Sequence, residues 1–463
     1  MSAGEEFRIE EDSLGSVEVP AWAYWGAETE RARKNFRVGS RRVPLEVIHS
    51  LAVIKKGAAH ANRECRVLDE RKAAAISTAC DEIMGGKLDI HFPLMIWQSG
   101  SGTQTNMNVN EVIANRAAEI LGGERGSKGI VHPKDDVNRS QSTNDVFPSA
   151  MHIASYRALR DHTIPGLATL EKALRDKSRE FAGIVKTGRT HFMDAVPVTL
   201  GQEFSGYASQ MAHALKALEE ALAPLLELAL GGTAVGTGLN APEGFAEKAA
   251  ARISEITGIP FISAGNKFEA LASHDALVGV SGALKRTAVG LMKITSDIRL
   301  MASGPRCGIG ELILPENEPG SSIMPGKSNP TQAEMAAMVC AQVMGNDTAI
   351  SIGGMSGSLE LNVFKPLIII NFLESARLLG DAAGSFAVNC ITGIVPDRGN
   401  MRDHLDRSLM LATALTPSIG YDRAAEISRK ARMERSTLKE AALRLGYLTG
   451  EDFDRLVDPE KMV

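Results

Sequence analysis

Met211-Ala-His-Ala-Leu-Lys-Ala-Leu-Glu-Glu-Ala-Leu-Ala-Pro-Leu-Leu-Glu-Leu-Ala229 is the stretch that sets the fold class. Met211, Leu215, Leu218, Leu222, Leu225 and Ala229 recur at steps of four and three, which puts them on one helical stripe. A second stripe runs through Leu277, Val280, Leu284, Leu291, Ile294 and Ile298. Leu167, Leu170, Leu174 and Phe181, and the apolar run after Pro366, extend the pattern. Between the stripes stand Ala, Gly and Ser, small residues that let helices approach closely. Long helices that are apolar on more than one face need several neighbours. The simplest solution is a bundle, and an oligomer in which helices of different chains share one core. An ordinary intrachain core would produce the same stripes, and periodicity does not choose between the two. Strand-like runs are few, so the fold class is mainly α with a long central helical bundle.

The composition around these helices excludes several function classes. The chain has 463 residues, enough for about three domains at roughly 150 residues each. Composition and breakers divide it into a mixed N-terminal region of short helical patterns and loops (1–141), a central helical region (142–398) and a short charged C-terminal region (399–463). Pro396, Asp397 and Gly399 mark the last boundary. Net charge is -5 with no basic tract, which argues against a nucleic-acid partner. The five cysteines, Cys65, Cys80, Cys307, Cys340 and Cys390, are scattered and contain no C-x-x-C, so neither a disulfide framework nor a zinc ribbon is expected. The N-terminus MSAGEEFRIEEDS is acidic, without a secretory apolar segment. The run Leu367 to Leu373 is too short to span a bilayer. These features together predict a soluble cytoplasmic protein without a membrane partner.

Hydrophobic periodicity leaves four polar segments unexplained. In Ser99-Gly-Ser-Gly-Thr-Gln-Thr-Asn-Met-Asn108, ahead of a helical pattern from Glu111, eight of ten residues are Ser, Gly, Thr or Asn. Hydroxyls and unpaired N–H groups before a helix make an anion cradle, although a plain N-cap would need only one such residue. The second segment is His132-Pro-Lys-Asp-Asp136 with Ser140-Gln-Ser-Thr-Asn-Asp145. His132, Asp135 and Asp136 supply no full ligand set, so a solvated or capping cluster is expected rather than a metal. In Thr187-Gly-Arg-Thr-His-Phe-Met-Asp194, His191 lies in a polar break between helices, where it can be oriented or simply packed.

The fourth segment, Gly320-Ser-Ser-Ile-Met-Pro-Gly-Lys-Ser-Asn-Pro330, contains Gly-Lys-Ser but is no P-loop. Gly320 and Gly326 are separated by five residues where that motif needs four, and Pro315-Glu-Asn-Glu-Pro319 precedes it instead of an apolar strand. What remains is a Gly/Ser loop presenting Lys327 and Asn329 ahead of a helix expected near Pro330. A surface loop that merely caps this helix is the alternative. Together the segments offer hydroxyls, amides, lysine and histidine, without a thiol nucleophile or a metal cage. Such groups can stabilise a developing oxyanion, as in proton abstraction beside a carboxylate.

On these residues the chain resembles the aspartase/fumarase superfamily. The 320–330 loop is similar to that family's signature loop, carried here by 318–330, and the other three segments match its further blocks in order and spacing. The resemblance runs from Asp12-Ser-Leu-Gly and Trp25-Gly-Ala to the Gly446-Tyr-Leu region. Within the superfamily, Thr190-His191, Asp136, Gly304-Pro-Arg-Cys-Gly-Ile-Gly310, Pro315-Glu-Asn-Glu-Pro-Gly-Ser-Ser and Pro325-Gly-Lys resemble class II fumarate hydratases (fumarases) rather than aspartases. Ser328 stands where that family usually has valine, and Lys134 where it usually has asparagine.

The resemblance implies a three-domain fold whose central helices form a twenty-helix core in a homotetramer, with each active site built from three chains. It implies reversible anti addition of water to fumarate, giving L-malate, with no cofactor and no metal. Ser321 would remove the carbon-bound proton, and the resulting aci-carboxylate would be held by Lys327, Asn329, Thr103, Thr143 and Asn144. His191, paired with Glu334 and beside Thr190, would handle the water. Ser101, Asn106 and Ser142 would complete carboxylate binding, and His132, Lys134 and Asp135 would form a second anion site. A sister lyase, or a non-catalytic protein on the same scaffold, is the competing reading.

Overall fold

The computed structural model describes residues 6–463; the first five residues of the acidic N-terminal stretch lie outside the described part. The chain is mainly helical. Its longest helices are Leu200–Ala221, Asp275–Met301, Thr331–Met355 and Lys365–Asn389. Among the described residues the strands form two-stranded sheets only. No helix among them is long and apolar enough to cross a membrane.

Both stripes read from the sequence are buried except for Leu215, which is half-buried, and one of them differs at its end. Leu277, Val280, Leu284, Leu291, Ile294 and Ile298 lie within the helix Asp275–Met301 and have almost no exposure. Met211, Leu218, Leu222, Leu225 and Ala229 are buried too, but their helix stops at Ala221. A 3-10 turn, Ala223–Leu226, follows, because Pro224 lacks the N–H that another α-turn would use. The stripe therefore continues through a change of backbone form.

The chain divides into two compact units, each discontinuous in sequence. The first comprises the chain up to Ile164, with Lys216–Arg286 and Gln342–Leu379. In it the 20-residue helix Leu45–Glu64 packs against Glu70–Met84, Thr143–Ala158 and Phe245–Thr257. Its Val47, Ile48, Leu51, Ala52, Ile54 and Ala58 are buried on several faces, so no single stripe betrays it. The expectation of only short helices in this region is corrected by that helix and by the 18-residue Thr103–Ile120. Truncating Leu51 to alanine would cost about 2–5 kcal/mol, the range for a large core side chain.

The second unit comprises Pro165–Leu215, Thr287–Ala341 and Gly380–Val463. Its C-terminal part has a small core of Leu405, Leu411, Leu415, Ile427, Ala431, Leu438 and Phe453. The polar break expected around His191 is an antiparallel hairpin, Val185–Thr190 paired with Met193–Thr199. His191 and Phe192 form its tip at φ +56° and +58°. Two positive φ values match the right-handed twist of a hairpin, but side chains at such positions strain the backbone.

Candidate active site

In the first unit, two helix starts are brought side by side. The helix Thr103–Ile120 begins two turns earlier than the apolar pattern suggested. Gly102 precedes it at φ +81°, where a Cβ would strike the Phe147 ring at 2.4 Å. The hydroxyls of Ser99, Ser101 and Thr103 form a chain with separations of 3.2 and 2.8 Å. Gln98 Oε1 accepts from Thr105 N at 2.9 Å and from Thr105 Oγ1 at 2.8 Å, which fixes the first turn. The polar side chains of Asn106, Asn108 and Asn110 are buried, so this end of the helix is held by hydrogen bonds and leaves no apolar trace in the sequence.

The second helix start is Thr143–Ala158. Ser142 is its N-cap and forms a capping box with Asp145. Asn106 Nδ2 donates to Thr143 Oγ1 at 3.0 Å and thereby joins the two starts. Asn144 Nδ2 donates to the Ala234 carbonyl at 2.8 Å. Asp145 accepts from the N–H groups of Gly231 (2.9 Å) and Thr233 (2.8 Å). Burial raises its carboxyl to about 6 against the lowering effect of those N–H groups and of Lys55. Ser101, Thr103, Asn106, Ser142, Thr143 and Asn144 thus surround paired helix N-termini, where backbone N–H groups and dipoles favour an anion.

The expected second anion site is beside them. His132 Nδ1 accepts from Lys134 N at 3.3 Å and from Asp135 N at 3.0 Å. Lys134 Nζ lies 2.6 Å from Glu28 Oε1, so its charge is already paired. Lys134, Glu28 and Thr103 line one cavity of about 670 Å³ with Arg31 and Asp12.

In the second unit, the signature loop folds on itself. Gly320 sits where a Cβ would lie 2.1 Å from the Lys327 carbonyl oxygen, and its own carbonyl accepts from Asn329 Nδ2. Lys327 Nζ donates to Asn329 Oδ1 at 2.5 Å. Ser321 Oγ accepts from the N–H groups of Met324 (2.9 Å) and Ile323 (3.3 Å). Hydrogen bonds of that kind favour negative charge on the accepting oxygen. The helix that follows starts at Thr331, as Pro330 suggested. Glu334 on its first turn lies 3.7 Å from Arg299 Nη2. Among the described residues no hydrogen bond joins it to His191 within the chain.

The His191 hairpin is anchored by groups that sequence reasoning missed. Glu311, fully buried, accepts from Arg189 at 2.8 and 3.0 Å. It also lies 3.1 Å from Lys186 Nζ and 3.2 Å from His404 Nδ1. Burial alone would raise its carboxyl, but Arg189 and Lys186 hold it below the ordinary range. Lys186 further contacts Glu203 at 2.9 Å. A Lys and an Arg flanking a Thr-Gly pair were visible in the sequence, but their acidic partner is 122 residues from Arg189. Thr190 and His191, next in line, are exposed.

Comparison with known proteins places a chain with these helix starts and this loop among the lyases. The lyase family model matches residues 15–345, and that of the fumarase C C-terminus matches 411–463. Class II fumarate hydratase of Nitrosomonas europaea is 59% identical over 458 residues, 99% of each chain. Mitochondrial fumarate hydratase of Rattus norvegicus is 57% identical, covering 100% of this chain and 92% of its own. The crystal structure of class II fumarase from Schistosoma mansoni superposes with a TM-score of 0.97, at 45% identity and 99% coverage of both chains. The chain belongs to the class II fumarate hydratase family.

Proposed function

We propose that this enzyme catalyses the reversible anti hydration of fumarate to L-malate. The observation that carries the reading is the internal hydrogen bonding of the signature loop. It places Ser321 Oγ under two N–H donors and sets Lys327 against Asn329. Removing the C3 proton of malate gathers charge on the adjacent carboxylate, and a dianion needs donors that are already in place. Lys327, Asn329, Thr103, Thr143 and Asn144 supply them, while Ser101, Asn106 and Ser142 hold the carboxylates. Ser321 takes the carbon-bound proton, its oxygen stabilised as an alkoxide by the loop N–H groups. His191 with Glu334, beside Thr190, manages water at the other carbon.

The paired helix starts belong to one unit of the chain and the loop and hairpin to the other. The reading joins them through self-association as a homotetramer, each site drawing on three chains and the central helices forming a twenty-helix core. Exposed apolar side chains on the long helices support it: Val289, Met338, Ile352, Met355 and Val388 are 52–81% exposed on one chain. His132, Lys134 and Asp135 would hold a second anion only if it displaced Glu28 from Lys134. We place the enzyme in the cytoplasm. The test follows absorbance at the fumarate band with metal-free protein, first with L-malate and then with L-aspartate. Turnover of malate alone supports the assignment. Turnover of aspartate alone would overturn it, and turnover of neither would favour a binding protein on this scaffold.

A further inference from the structure

Lys55 is wholly buried on the helix Leu45–Glu64, beneath the paired helix starts. Its Nζ donates to Asn138 Oδ1 at 2.7 Å and to Gln141 Oε1 at 3.1 Å, and among the described residues it forms no ion pair with a carboxylate. Asn138 Oδ1 also accepts from Asn106 Nδ2 at 3.2 Å and from Asn110 Nδ2 at 3.3 Å. Asn138 Nδ2 donates to the Gln141 carbonyl at 3.1 Å. The Asn106 amide then donates to Thr143 Oγ1.

Burial lowers the Lys55 amine to about 7, and in its protonated form it has donors and no acceptor. Facing Lys55, the Asn138 amide must present its oxygen, and that oxygen in turn requires the nitrogen of Asn106. A Thr143 hydroxyl that accepts from Asn106 has its own proton left for something else. A fumarate or malate carboxylate can only accept. We propose that Lys55 is a positioning residue which, through Asn138 and Asn106, commits the Thr143 hydroxyl to donating to a substrate carboxylate. The proposal rests on the reading of Thr143 as a carboxylate contact. Without the ammonium, only the bond from Asn138 Nδ2 to the Gln141 carbonyl still turns the Asn138 oxygen towards Asn106, and the Asn106 amide is less firmly held. When that amide turns over, Asn106 Oδ1 takes the Thr143 proton, and two acceptors face each other where the substrate should bind.

Lys55→Met keeps the length and removes the donors. A lost hydrogen bond to a charged group weakens binding about ten- to hundredfold. Thr143 serves the substrate carboxylate in the ground state and the dianion beyond it, so KM for fumarate and malate should rise and kcat should fall, with kcat/KM dropping by at least that factor. A lysine that merely filled the core would alter thermal stability and leave KM alone. Asn138→Ala, which deletes the shared acceptor at a half-buried position, should give the same changes in KM and kcat if Lys55→Met fails to fold. A crystal structure of the wild type with succinate provides a reading independent of both variants, with Thr143 Oγ1 expected within hydrogen-bond distance of a carboxylate. Unchanged KM in a folded variant, or a Thr143 hydroxyl turned away from succinate, would overturn the role of Lys55. An inactive wild type would instead overturn the functional reading itself.

Discussion

Arg189 and Glu311 are joined by two parallel hydrogen bonds, Nη2 to Oε1 at 2.8 Å and Nη1 to Oε2 at 3.0 Å, immediately before Thr190 and His191. The planar fork fixes direction as well as distance. It ties the hairpin strand to the segment leading into the signature loop, so the histidine at the strained tip starts from a rigid base. Glu311→Gln should leave the buried Lys186 and the half-buried Arg189 beside an uncharged partner. Breaking a buried pair from one side costs about 3–5 kcal/mol. The expected results are a clear fall in the thermal midpoint and a loss of kcat larger than any rise in KM, measured by calorimetry and steady-state kinetics. An unaltered midpoint would contradict this account of the network.

The same carboxylate has a definite pH signature. Its folded value lies below 4.5, so its contribution to stability is complete above that pH and is lost as the pH falls through the folded value. In Glu311→Gln the part of the acid destabilisation below pH 4.5 that comes from this group should disappear. Urea titrations of both proteins at pH 5 and pH 3.5 would measure it.

Lys327 is exposed and bonded only within its loop, so Lys327→Ala should fold normally. Removing one well-placed donor to a developing oxyanion costs roughly two to three orders of magnitude in kcat. His191→Asn should also lower kcat with little change in the thermal midpoint, because the residue is exposed at the hairpin tip. Near wild-type rates in both variants would remove them from the chemistry.

Two buried histidines predict acid sensitivity at milder pH. Burial, aided by Arg125 and Arg8, holds His91 at about 4. Burial, then Lys365 and His152, pushes His274 far below its ordinary 6.5. Both are neutral in the folded chain and take up protons on unfolding below pH 6.5. Stability is therefore full above that pH and falls as pH drops towards 4, by about 1.4 kcal/mol per pH unit for each histidine. His274→Asn should reduce the slope between pH 6 and 5 in urea titrations. An unchanged slope would show that His274 does not contribute.

The stripes were legible because apolar side chains repeat at helical spacing and these helices bury them. The helix end at Ala221 and the eight-residue advance of the Thr103 helix were not, the first because the apolar stripe runs on unbroken past Pro224, the second because polar contacts hold that end. The four polar segments stood out by their excess of hydrogen-bonding side chains over what capping needs. The groups beneath them did not. Lys55 follows Ile48 and Ala52 at helical spacing, a lysine on an otherwise apolar face, which is the one trace it left. Glu311 left none, because its partners are brought to it by strand pairing and chain reversal far along the sequence.

Mixed assembly of two inactive variants tests the shared site most directly. Thr143→Ala and Lys327→Ala would be unfolded together, refolded and assayed for hydration of fumarate. If Thr143 and Lys327 meet across a subunit boundary, some sites in the hybrids draw both intact residues from different chains, and activity should return to a sizeable fraction of wild type. If each site were built within one chain, every site would keep a lesion, and hybrids no more active than either parent would contradict the account.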